Sequence, residues 1–246
     1  MKKIVSLLYG VISYLAFFGT ILYAIGFVGN LFVPKTIDGE PQMPLFTAIL
    51  INASLLLLFA LQHSIMARPG FKRWWTKIIP SHLERSTYVL LASLCLMLMM
   101  WQWQPIGGMV WSVKNETIKT ILLITYITGW AIVFVSTFLI NHFDLFGLRQ
   151  VWLYFTGRPY TQLPFRLPLF YRFVRHPLYF GFLVAFWSAS TMTVAHLLFA
   201  LLTTGYILTA IRFEERDLIT HFGEKYRSYK KRAPMIIPFS KRKTAK

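Results

Sequence analysis

Residues 176–211 read HPLYFGFLVAFWSASTMTVAHLLFALLTTGYILTAI, thirty-six residues without one Asp, Glu, Lys or Arg. A helix needs about 20 apolar residues to cross a hydrocarbon core. The stretch is too long for one such crossing and just long enough for two short ones. Its flanks decide the matter. From Arg212 to Lys246 the chain carries eleven Lys or Arg, and the connector before the stretch carries Arg149, Arg158, Arg166, Arg172 and Arg175 against Asp144 alone. Basic flanks stay on the cytoplasmic side of a membrane. A single crossing would strand the second flank outside, so the reading is a helical hairpin that turns near Ser190 to His196 and returns.

Four earlier stretches, residues 4–34, 41–67, 86–113 and 120–143, are equally free of formal charge, and each fits one helix. Their connectors alternate. Lys2 and Lys3 open the chain, and the next connector holds Lys35 with Asp38 and Glu40. Arg68, Lys72, Arg73, Lys77 and Arg85 then stand against Glu84 alone, followed by Lys114 and Glu116. This alternation predicts an all-α, polytopic transmembrane bundle of about six passes, four plus a C-terminal hairpin, with both termini cytoplasmic.

Composition agrees. Of 246 residues, 56% are hydrophobic and 14% charged, where soluble domains carry about 25% charged residues. The net charge of +17 would suggest nucleic acid in a soluble chain. Here it falls in alternate loops as an orientation signal, so the expected partner is the lipid bilayer and not nucleic acid. The first apolar run is about twice as long as a signal-peptide core and lacks a small-x-small cleavage site, so it reads as a retained helix. The lone Cys95, set among Leu, Met and Ser, reads as a small hydrophobe.

We expect residues 1–142 to form a transmembrane scaffold and residues 143–246 a functional half made of connector, hairpin and basic tail. Pro159, Pro164, Pro168 and Pro177 argue against a long helix in the connector. The tail reads as a helix from Ile211 through about Tyr229, ended by Pro234 and Pro238. Phe71 to Trp75, with Lys72 and Arg73 between aromatics, reads as an interfacial anchor.

Polar groups beside spans are costly and so begin as functional candidates. Four clusters fall on the predicted cytoplasmic side. They are Gln62-His63-Ser64 with Arg68, Glu84 through Tyr88, Asn141-His142-Phe143-Asp144 with Arg149 and Gln150, and a last one split across the hairpin. The split cluster has Arg175 through Gly181 at the entry and Arg212 through Asp217 at the exit, and the two ends of a helical hairpin lie together. Structural roles compete with functional ones at each. Glu84 and Arg85 suit a helix start, His142 and Asp144 suit a helix end, and Glu214, Glu215 and Asp217 suit helical ion pairs with Arg212 and Arg216. Their coincidence on one side favours a site. No Walker loop, Gly-x-Gly-x-x-Gly or His-Glu-x-x-His motif occurs, so neither a standard nucleotide cradle nor a metal is predicted. No charge sits at the centre of a span, which argues against a proton-coupled transporter.

The split cluster resembles the signature of membrane methyltransferases related to isoprenylcysteine carboxyl methyltransferase. The residues that carry it are Arg175-His176-Pro177-Leu178-Tyr179-Phe180-Gly181, Glu214-Glu215 with Leu218, and Phe222-Gly223 followed by Tyr226, Tyr229 and Arg232. Residues 62–69, 84–88, 141–150 and 213–218 extend the likeness over nearly the whole chain and narrow it to the membrane-bound methanethiol S-methyltransferases. The resemblance implies methyl transfer from S-adenosylmethionine to a small thiol, methanethiol, giving dimethyl sulfide at the cytoplasmic face of the cell membrane. Alternatives are a lipid headgroup or prenylcysteine as acceptor, or a non-catalytic membrane protein of nitrogen-oxide metabolism.

With such a cofactor, Arg175 and His176 suit its carboxylate or ribose, and Glu214 or Glu215 its ammonium or hydroxyls. Tyr179 suits its sulfonium by cation–π attraction. Pro177 frees backbone groups at a helix start, Gly181 permits close approach, and Tyr226 and Arg232 complete the expected cofactor set. The thiolate is the nucleophile, so a base is wanted. The candidates are His142 with Asp144, then His63, then Glu84, while Arg149 or Arg85 suits stabilisation of the thiolate.

Overall fold

The computed structural model describes residues 1–238 and 240. Lys241, Arg242, Lys243 and Lys246 of the basic tail lie outside the described residues. Ten α-helices follow one another among them: α1 (Lys2–Gly29), α2 (Leu45–Ala67), α3 (Pro69–Trp75), α4 (Ser81–Gln102), α5 (Glu116–Ile140), α6 (His142–Leu145), α7 (Leu148–Thr156), α8 (Pro177–Trp187), α9 (Val194–Phe222) and α10 (Glu224–Arg232). Two short strands, Met109–Ser112 and Thr191–Thr193, and a 3-10 turn at Leu169–Arg172 complete the order. The chain is a helical, multi-pass membrane protein. Helices α1, α2, α4, α5 and α9 are each long and apolar enough to cross a bilayer. Helix α8 is apolar but has 11 residues, about 16 Å of rise against a hydrocarbon core of about 30 Å. The hairpin is therefore asymmetric, with a short first arm and a long second one. Its turn falls at residues 188–193, overlapping the expected 190–196, with Val194 to His196 already in α9.

One compact unit comprises Met1–Trp111, Asn141–Gln162 and Met192–Leu202. In it α1 and α2 pack on α4, and α7 packs on α1. Small residues permit these approaches. Ser6, Gly10, Ser13 and Thr20 are buried on α1, and a Cβ on Gly10 would stand 2.5 Å from a methyl of Val151. The three hydroxyls bond back to the carbonyls of Lys2, Tyr9 and Ala16, so close packing in an apolar medium leaves them satisfied. At one end of this bundle, fully buried Asn52 grips the Gln104 backbone through both amide atoms, at 2.7 and 2.8 Å. At the other end, Gly147 adopts φ +91°, and a Cβ there would meet the Ser86 backbone nitrogen at 2.7 Å. Only glycine fits.

The second unit comprises Ser112–Ile140, Leu163–Thr191 and Thr203–Lys246. Its centre is the crossing of α5 and α8. A Cβ on Gly181 would stand 2.6 Å from the carbonyl oxygen of Gly129, and one on Gly129 would stand 2.6 Å from the Ala185 nitrogen. The helices touch backbone to backbone, with Trp130 meeting Phe182 and Phe186 edge-on. The expected tail helix differs in form. Helix α9 runs unbroken from the hairpin to Phe222, and Gly223 then breaks it at φ +56°, ψ −130°. That conformation is essentially restricted to glycine. Helix α10 thereby turns back, burying Tyr226, Tyr229 and Ala233 against Phe165, Leu167, Leu218, Ile219 and Phe222.

Candidate active site

In the second unit, residues from the hairpin entry, the end of α9 and α10 converge on one carboxylate. Glu215, 5% exposed, receives Arg175 Nε at 2.6 Å and lies 3.2 Å from His176 Nε2, both on Oε1. Lys230 Nζ reaches its other oxygen at 2.7 Å. Arg175 also donates through Nη1 to the carbonyls of Lys230 and Ala233. The backbone follows the same path, since the amides of Arg175 and His176 donate to the carbonyls of Pro234 and Met235. Tyr229 adds a hydroxyl donated to the carbonyls of Tyr171 and Val174. Pro177, which has no N–H to lose, opens α8 beside this knot.

Glu214 is treated differently. Its side chain is 43% exposed. It accepts the Tyr179 hydroxyl at 3.0 Å, with His176 Nδ1 at 3.8 Å. Neighbouring residues on a helix point about 100° apart, so the pair yields one saturated interior carboxylate and one open to a ligand. Tyr226, 2% exposed, has a hydroxyl with no partner among the described residues. Burial holds the phenols of Tyr171, Tyr226 and Tyr229 above the ordinary tyrosine range, so all three keep their protons and remain donors.

Of the residues expected to meet a cofactor, Arg175, His176, Tyr179, Glu214 and Glu215 are thus brought together. Gly181 faces α5, and the backbone of Gly129 fills the space its missing side chain leaves. Arg232 is exposed in the last turn of α10 and joins none of these contacts. Lys230, Tyr229 and Tyr171 were missed by sequence reasoning. Tyr229 carried a signal in the family pattern, whereas Lys230 looks like any lysine of a basic tail until Gly223 reverses the chain.

The first unit holds the expected base residues in separate small groups. His142, 3% exposed, starts α6, where Asn141 caps the helix by accepting the Asp144 amide at 3.1 Å. Its Nε2 lies 2.9 Å from the Tyr14 hydroxyl, and burial depresses its pKa below the usual histidine value. Asp144 pairs with Arg149 at 2.7 Å and accepts from Tyr160 at 3.4 Å. Arg149 also donates to the carbonyl and hydroxyl of Thr161 and stacks on Tyr160. That guanidinium pins the connector to α6. His63 faces the Tyr88 hydroxyl, 3.0 Å from Nδ1 and 2.9 Å from Nε2, and Arg85 lies over the Tyr88 ring. Glu84 sits half-buried in the first turn of α4 and joins none of these contacts. Among the described residues no cluster of His, Cys, Asp and Glu is suited to a metal.

The chain is 56% identical over 244 residues to a methanethiol S-methyltransferase of Crocosphaera subtropica, covering 99% of this chain and 96% of that protein. It is 50% identical to one from Mycobacterium tuberculosis, covering 99% of this chain and all of that protein. It is also 53% identical to methanethiol S-methyltransferase 1 of Bradyrhizobium diazoefficiens, over 96% of this chain and 83% of that protein. No protein-family model and no solved structure matches it. Near-complete coverage at such identity leaves one assignment: the chain belongs to the methanethiol S-methyltransferase family.

Proposed function

We propose that this protein methylates methanethiol to dimethyl sulfide with S-adenosylmethionine as donor. The observation that carries the donor reading is the open Glu214 carboxylate beside the saturated Glu215. The donor set fits that cofactor. Glu214 suits its ammonium, the buried unpartnered hydroxyl of Tyr226 is a spare hydrogen-bond donor for its carboxylate or adenosine, and the Tyr179 ring suits its cationic sulfur. Arg175, His176, Glu215 and Lys230 form the frame that aims those groups, and Arg232 remains a proposed outer contact. When bound, S-adenosylmethionine supplies an electrophilic methyl on a sulfonium.

His142 is the proposed base. It would take the thiol proton and later release it to water, while Glu214, Tyr226 and Tyr179 would hold the donor that supplies the electrophilic methyl. Burial holds this histidine below its ordinary value, so it is a weak base toward a thiol. Orientation of the reactants supplies about 7–11 kcal/mol, so a weak, neutral base suffices. His63, Glu84, Asp144 and Arg149 have supporting roles in this reading: His63 and then Glu84 are the reserve acceptors, and Asp144 with Arg149 fixes the segment that carries His142. The Lys and Arg distribution supports a reading with both termini, and the site, on the cytoplasmic side of the cell membrane.

The test is turnover by the purified full chain with methanethiol and methyl-labelled donor, read as labelled dimethyl sulfide in the headspace. Label in extracted lipid and none in the headspace would replace the thiol with a lipid acceptor. Failure to bind the donor at all would sink the reading.

A further inference from the structure

We propose that Tyr14, on the first transmembrane helix, is a positioning residue that holds the His142 imidazole in one orientation while the ring gains and loses a proton; this rests on the reading of His142 as the thiol base. The Tyr14 hydroxyl stands 2.9 Å from His142 Nε2, and the two rings meet edge-on at 5.6 Å and 81°. His142 also packs against two apolar rings, those of Phe143 at 5.4 Å and Phe146 at 4.8 Å.

A hydroxyl both donates and accepts. It donates to Nε2 when that nitrogen carries no proton, and accepts from Nε2–H once the ring is charged. A carboxylate could only accept, and it would raise the proton affinity of the ring. Asp144, two residues away in the chain, is taken up instead by Arg149 and Tyr160. Tyr14 thus gives this imidazole a partner that tolerates both protonation states.

Tyr14 is itself held on both sides. One turn before it, Gly10 lets Val151 of α7 sit against α1. One turn after it, Phe17 stacks on Phe146 at 3.8 Å and 22°. The hydroxyl therefore has a fixed height relative to the short segment that carries His142.

The experiment measures kcat for methanethiol against pH on the full chain in detergent. Tyr14→Phe should lower kcat about tenfold, in line with one lost hydrogen bond, with KM for the thiol within twofold of the parent. The acid limb should move to lower pH, because the imidazolium loses an acceptor. The double variant Tyr14→Phe/His142→Ala should be no slower than His142→Ala alone. Parental activity in His142→Ala would remove the base reading and the proposal together. An inactive His142→Ala beside a Tyr14→Phe with parental kcat and acid limb would overturn the role of Tyr14 alone. Replacement of Tyr14 by 3,5-difluorotyrosine keeps ring and hydroxyl in a protein that folds like the parent. It makes the oxygen a weaker acceptor, so the acid limb must again fall; an unmoved limb overturns the proposal.

Discussion

Glu215 and His142 are about equally buried, at 5% and 3% exposure, and the chain surrounds them in opposite ways. Arg175, His176 and Lys230 close on Glu215. A tyrosine hydroxyl and phenylalanine edges surround His142. A carboxylate so enclosed stays ionised and serves as a fixed anchor. An imidazole so enclosed stays neutral and able to take a proton. The first arrangement suits holding a zwitterionic cofactor in register, and the second suits one proton transfer. The comparison predicts that changes at Glu215 act on folding and changes at His142 act on rate.

The largest effect is expected at Glu215. Glu215→Ala leaves Arg175, Lys230 and His176 without their acceptor, and breaking a buried ion pair costs about 3–5 kcal/mol. Thermal unfolding in detergent should show a large fall in midpoint or loss of folded protein. A parental midpoint would refute the anchor. His142→Ala should lose less stability than Glu215→Ala and bind the donor normally, while kcat falls by about 10²–10⁴. Equal losses in donor binding and kcat would erase the distinction between the two regions.

Glu214 sharpens the contrast within one region. Glu214→Gln keeps shape and removes charge, so the midpoint should hold while donor affinity falls. A charge-assisted hydrogen bond is worth about 1.5–3 kcal/mol, roughly a 10- to 150-fold change in Kd. Titration calorimetry with the demethylated product of the donor measures it. An unchanged Kd would move the ligand contact elsewhere. Gly181→Ala should act on packing, because its methyl would press on the Gly129 carbonyl. The expected destabilisation is about 1–3 kcal/mol, with Kd for the donor unchanged in the folded fraction.

What was legible in the sequence follows from range. Charge-free stretches mark spans because hydrophobic length is a local property, and the hairpin follows from counting basic flanks. Hairpin topology also brings Arg175 and His176 to Glu214 and Glu215. Lys230, fifteen residues beyond Glu215, was not legible, since its approach depends on the reversal at Gly223. Tyr14 was not legible either, because an aromatic in a span has the same appearance facing lipid or facing a histidine. The expectation for Gly181 named a need for space without knowing what fills it. Asp144 lay two residues from His142 in the chain, but its partner is Arg149.

Lys230 gives the smallest expected effect and the finest division. Its side chain is 45% exposed, against 9% for Arg175 on the same carboxylate. Exposed ion pairs are worth about 0–1 kcal/mol and weaken with salt. Lys230→Met should therefore lower the unfolding midpoint slightly, and the difference from the parent should shrink as salt rises. Arg175→Met removes a buried partner and three hydrogen bonds, so its loss should be several times larger and insensitive to salt. Glu215 would then be anchored chiefly from the hairpin side, with α10 contributing a weaker, screenable contact. If Lys230→Met matched Arg175→Met in size and salt response, the anchor would be shared equally between hairpin and tail, and α10 would rank with α8 as a structural wall of the site.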